Sequence, residues 1–163
     1  MKSNRYLTAI LLAWILFIGV DFLFHASIFA SLWKEDIAIF KSLENLSLLI
    51  PTGYISFLLL TVLIGYLFFR LFKIKPQIKE AIKFALIFGI LFSLSNLLGL
   101  FSYLAIPLKY LLLFNLVYFI EIIVVTLSLY FIAFSTHLKK MVWLSVFIFF
   151  ILLIVGIVIQ NVL

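Results

Sequence analysis

Five apolar runs, each long enough to cross a lipid bilayer, alternate along the chain with short segments that hold most of its charge. Crossing the hydrocarbon core takes about 20 apolar residues in a helix, because inside lipid every backbone N–H and C=O must find its partner within the segment. The runs cover residues 7–32, 46–69, 84–106, 108–135 and 141–163. They predict an all-α, polytopic transmembrane helix bundle of about five spanning helices, forming a single domain over 1–163. Pro51 and Pro107 fall near the starts of the second and fourth runs, where a missing N–H costs least. In the first long connection, residues 34–50, the apolar positions Ile39, Leu43, Leu46 and Ile50 have the spacing of one helical face. A helix lying along the outer interface and a plain loop leading into the second helix account for that spacing equally well.

Composition agrees with the pattern. Of 163 residues, 67% are hydrophobic and 11% charged, against about 25% charged in soluble domains, and the mean hydropathy is +1.39. A soluble domain of this size leaves too much surface exposed to hide two thirds of its residues, so the apolar surface is expected to face lipid. The first run is about twice as long as a signal-peptide h-region, and Ile28-Phe29-Ala30 makes a poor cleavage site, which reads as a retained anchor. The absence of cysteine excludes disulfides, thiolate metal sites and thiol catalysis.

The net charge of +6 changes the picture only through its placement. The cations sit at the ends of apolar runs rather than on one solvated face, so they read as topology and not as a nucleic-acid surface. Lys2 and Arg5 precede the first run, Arg70, Lys73, Lys75, Lys79 and Lys83 surround the second connection, and Lys139 and Lys140 fill the fourth. Only Lys34, Lys41 and Lys109 fall on the other side. Because Lys and Arg concentrate in cytoplasmic loops, the N-terminus is expected in the cytoplasm and, after five crossings, the C-terminus outside. The expected location is a bacterial cytoplasmic (inner) membrane.

Ionisable residues inside a bilayer cost about 2.5 to 3.5 kcal/mol each on insertion scales and mark a functional hypothesis by default. Three fall within the runs: Asp21 and His25 in the first, and Glu121 in the fourth. Counting 1.5 Å of rise per residue from each helix centre puts Asp21 roughly 2 Å and Asn96 roughly 3 Å outward of the midplane, with Glu121 close to it. His25, four residues after Asp21 on the same helical face, and Asn115 then lie roughly 8 and 10 Å outward. Gly89, Ser93, Asn96 and Tyr103 form a small and polar stripe on the third helix, expected to face helices 1 and 4. Asp21, His25, Glu121, Asn96, Asn115 and Ser93 are therefore the candidate ligand- or proton-binding residues. Such groups can also simply hold helices together. That role suits Asn96 and Asn115, whereas Asp21, His25 and Glu121 favour function because neutral residues would join helices at lower cost.

Other chemistry finds little support. Haem held by two histidines is excluded, since His137 lies some 30 Å in depth from His25. The sequence shows no nucleophile motif, no phosphate-binding glycine loop and no metal-ligand spacing such as His-Glu-x-x-His. Neither cofactor nor metal is expected, with a single-ligand haem or quinone site at His25 kept as a minor alternative. The fifth run, polar only at Ser145, Gln160 and Asn161, is expected at the periphery of the bundle.

Asp21 in the first helix, Asn96 late in the third, Pro107 leading into the fourth and Asn115 early in the fourth form a pattern. It resembles uncharacterised families of small four-helix bacterial inner-membrane proteins. The resemblance runs from Arg5 to Ser135 and leaves the fifth helix as an addition; Asn115 stands where a carboxylate is more typical. It implies a membrane bundle and brings no activity with it.

Small size, short connections and the lack of a catalytic motif point first to an accessory or assembly subunit of an inner-membrane complex, not an enzyme. The alternative is a proton-coupled carrier of a small solute, with Asp21 and His25 as the proton-binding pair and Glu121 opposing them. An intramembrane enzyme acting on a lipid comes last, because it needs polar groups near a membrane surface. The expected partners are membrane lipids and either further copies of the chain or a larger membrane complex, with no nucleic acid.

Overall fold

The computed structural model describes residues 2–34 and 43–162, and all regular structure among them is helical. Helix α1 (Lys2–Asp21) continues into a π-helical segment (Phe22–Ile28) and a short 3-10 turn (Ala30–Lys34). Then follow α2 (Leu43–Leu71), α3 (Ile78–Tyr103), α4 (Leu108–Ala133) and α5 (Leu138–Val162). Among the described residues five stretches are long and apolar enough to cross a membrane: Asn4–Ile28, Leu48–Leu71, Ile78–Tyr103, Leu108–Ala133 and Leu138–Val162.

The helix starts differ from the apolar runs for a physical reason. A hydropathy pattern discards charged first turns, but those turns are helical. At α3 a capping box sets the start: the backbone N–H of Gln77 donates to Glu80 Oε2 at 2.7 Å. The helix therefore begins at Ile78 and takes Lys79 and Lys83 into its opening turns. Likewise α5 opens at Leu138 and includes Lys139 and Lys140. Pro107 caps α4 as its position suggests, but Pro51 stands inside α2, where it removes one intrahelical hydrogen bond. Of the interfacial segment expected over 34–50, residues 35–42 lie outside the described part, and from Leu43 the chain is already in α2.

Helix α4 is the hub. It packs against α3 and α1 most extensively and also touches α2 and α5. Its buried residues include Tyr110, Leu111, Val117, Ile122, Val125 and Leu129. Helix α1 answers with Ala9, Leu12, Ala13, Leu16, Phe17 and Val20, the i, i+3, i+4 spacing of a single face. Helix α3 presents Ala81, Ala85, Gly89 and Ser93, small residues one turn apart, and a Cβ on Gly89 would lie only 3.0 Å from the Phe119 ring. Small residues here let the α3 and α4 backbones approach closely. Of the stripe expected over Gly89, Ser93, Asn96 and Tyr103 to face helices 1 and 4, Gly89 and Asn96 meet α4. The upper end of the stripe departs from expectation, since Tyr103 is 71% exposed.

Aromatic contacts set the directions of the helices. Tyr6 near the start of α1 stacks on Phe69 near the end of α2 at 4.2 Å, and Phe69 meets Phe134 beyond α4 at 6.5 Å. Lys75 Nζ lies 6.0 Å from the Tyr130 ring. The chain's beginning, the α2–α3 connection and the α4–α5 connection thus share one end of the bundle. Deeper in, Phe17 stacks on Phe57 at 4.4 Å and Trp14 Nε1 donates to the Tyr54 carbonyl at 2.9 Å, fixing α1 against α2. Helix α5 buries little beyond Ser145 and Gly156, in keeping with a peripheral position.

Candidate functional site

Asp21 ends α1, and the chain then widens into the π-helical turn that carries His25. Single π turns are rare and recur at functional sites, because each shifts the side chains beyond it round the helix axis. Two contacts hold this one. Ser27 Oγ donates to the Phe22 carbonyl five residues back at 3.2 Å. Gly156 of α5 provides the room: a Cβ there would lie 2.7 Å from Ser27 Oγ and 2.8 Å from the Phe22 ring. The His25 ring in turn meets Phe114 of α4 with centroids 5.4 Å apart.

Opposite this turn, α4 brings up Glu121. One potential ligand atom from each of Asp21, His25 and Glu121 lies within 4.8 Å of the other two. His25 Nε2 stands 3.8 Å from Asp21 Oδ1, with side chains 18% and 19% exposed. Glu121 is completely buried, and among the described residues neither of its carboxylate oxygens has a hydrogen-bond partner. A buried carboxyl without a partner is costly, so its retention needs a reason other than packing.

The depth count from the sequence put Asp21 level with Glu121 and set His25 a turn further out. The structure brings all three together, because a π turn and two long side chains cover the intervening rise. The other candidates form a separate pair: Asn96 Nδ2 donates to Asn115 Oδ1 at 2.9 Å, and Asn115 Nδ2 donates to the Leu111 carbonyl at 2.7 Å. Asn115 precedes Glu121 by six residues, about 9 Å along α4 and a third of a turn round it. It therefore serves the α3–α4 seam. Ser93 is buried on that seam with its Oγ unpartnered. With Asn115 and apolar residues such as Leu97, Leu112 and Phe119, it lines a shallow groove of about 430 Å³. A second groove of about 520 Å³ runs between α4 and α5 toward His137 and Lys140. Neither groove is lined by Asp21, His25 or Glu121.

Two residues near the cluster were not among the sequence candidates. Tyr118 of α4 lies within electrostatic range of both Glu121 and Asp21, with its ring edge against Phe92 at 6.1 Å. Its position three residues before Glu121 is the signal that would have found it. Tyr54 of α2 lies within range of Asp21, and only the α1–α2 packing reveals that. Compared with protein-family models, curated proteins and solved structures, the chain finds no match.

Proposed function

We propose that the chain is an integral protein of a bacterial cytoplasmic membrane, with its N-terminus in the cytoplasm, and that Asp21, His25 and Glu121 form a cation-binding site within the bilayer. The function this supports best is cation-coupled carriage of a small solute, the coupling cation in the simplest case being a proton. One observation carries the reading: two carboxylates and an imidazole from two helices converge within 4.8 Å while Glu121, fully buried, has no partner of its own. A purely structural site would be expected to satisfy its most buried member. The test is flux in proteoliposomes under an imposed pH gradient. Asp21→Asn and Glu121→Gln should each abolish uptake while the proteins remain folded and monodisperse; retention of uptake by both variants would end the carrier reading.

A second reading is favoured by the surface. The outward faces of α2, α3 and α5 are lined by exposed apolar side chains such as Leu59, Leu63, Leu91, Leu98, Phe147 and Ile154. The connections among the described residues are short, which suits an accessory or assembly subunit packed among other membrane proteins. Native mass spectrometry of the tagged chain in mild detergent separates the two. A stoichiometric second protein supports the subunit, and a homo-oligomer alone supports the carrier.

A further inference from the structure

We infer that Asp21, His25 and Glu121 bind a single divalent transition-metal ion of the first row. The inference rests on the reading that this cluster holds a cation, but not on carriage. The donor set selects the class of ion. Carboxylates suit Mn²⁺ and Mg²⁺ while imidazole suits Zn²⁺, Fe²⁺ and Ni²⁺, so a site offering two of the first and one of the second matches borderline ions that accept both. Soft Cu⁺ is disfavoured in a chain without cysteine.

Distances support the assignment. At 3.8 Å, His25 Nε2 and Asp21 Oδ1 are too far apart for a hydrogen bond. Two atoms each about 2.1 Å from one ion sit roughly 3.0–3.4 Å apart at octahedral or tetrahedral angles. The cluster, whose donor atoms lie within 4.8 Å of one another, therefore needs a contraction of about an ångström to close on an ion. Side-chain rotation supplies movement of that size.

Charge supports it independently. Two carboxylates that stay ionised in an apolar bundle call for two positive charges; otherwise they take up protons. The described Lys and Arg residues lie at or near the helix ends, and the one close basic partner that Asp21 or Glu121 finds among the described residues is His25 beside Asp21, which carries a charge only when protonated. A divalent ion neutralises both carboxylates at once and gives the buried, unpartnered Glu121 oxygens a ligand. Three protein donors also leave at least one position on the ion open, the arrangement of sites where something exchanges or reacts, not of closed structural sites.

The experiment uses the full chain in mild detergent, purified without a histidine tag and stripped with EDTA, then dialysed to equilibrium against Co²⁺ or Zn²⁺. One ion per chain is expected, with a Co²⁺ absorption spectrum of nitrogen and oxygen ligation. Asp21→Asn and Glu121→Gln should each weaken binding by about 100-fold or more, with size-exclusion profile and helical circular dichroism unchanged. His137→Gln, remote from the cluster, should bind as the parent does. Absence of stoichiometric binding, or binding that persists in Glu121→Gln or disappears in His137→Gln, overturns the assignment. If flux needs Asp21 and Glu121 but no metal binds, the metal site is wrong and the carrier stands. If metal binds stoichiometrically through these residues and flux is indifferent to them, the metal site stands and the carrier is wrong.

Discussion

Gly156 of α5 faces Ser27 of the π-helical segment so closely that a methyl group has no place between them: its Cβ would fall 2.7 Å from Ser27 Oγ. The fifth helix thus sets the shape of the turn that carries His25. Gly156→Ala should cost about 1–3 kcal/mol through overpacking and should also weaken whatever the cluster binds, because the displaced segment takes His25 with it. Gly53 is the control, with nothing within 4 Å of its Cβ position. Gly53→Ala in α2 should be neutral or stabilising by up to about 1 kcal/mol. Thermal melts in detergent, read beside Co²⁺ binding, check both.

Glu121→Leu should make the protein more stable and less useful. Replacing a fully buried carboxyl that has no partner with an apolar side chain of similar size removes a desolvation cost of about 1–3 kcal/mol. A higher melting temperature together with loss of flux or metal binding would be the trade-off of a working site. A lower melting temperature would instead mark Glu121 as structural.

The Asn96–Asn115 hydrogen bond should behave as a local clamp. A double-mutant cycle with alanine is expected to give a coupling energy of about 0.6 to 2 kcal/mol, with little effect on the cluster about 9 Å along α4. Ser93→Ala, which deletes a hydroxyl that bonds to nothing, should change stability by less than about 0.5 kcal/mol.

Orientation is testable because the chain has no cysteine of its own. In intact cells a membrane-impermeant maleimide should label Lys109→Cys and spare Lys75→Cys and His137→Cys. The reverse pattern would invert the topology proposed from the distribution of Lys and Arg.

The helices were legible in the sequence because a stretch of 20 or more apolar residues is decided by composition alone. Their starts were less so. At α3 the capping box at Gln77 and Glu80 overrides the hydropathy edge at Phe84. The candidate residues were found by type, since any Asp, His or Glu amid so many Leu and Phe stands out. Their grouping was visible by helical face, but not fully by depth. Counting rise along ideal α-helices brought Asp21 level with Glu121 but placed His25 a turn away, because no local signal announces the π turn at Phe22–Ile28. The residue that leaves room for that turn lies far along the chain, at Gly156. The helix expected at the periphery also supports the site. Metal-ligand spacing also failed as a guide, since the three donors come from two helices and no short motif can record them.

Asp21 and Glu121 are 100 positions apart in the chain. At a synthesis rate of about 5–20 residues per second, a nascent α1 entering a bilayer would wait roughly 5–20 s before α4 emerged to meet it. Throughout that interval the Asp21–His25 pair would lack Glu121, and α4, the hub of the finished bundle, would not yet exist. In a co-translational insertion that interval would be the vulnerable one, and α1 would be the segment most in need of an insertase or membrane chaperone while the ribosome is still at work.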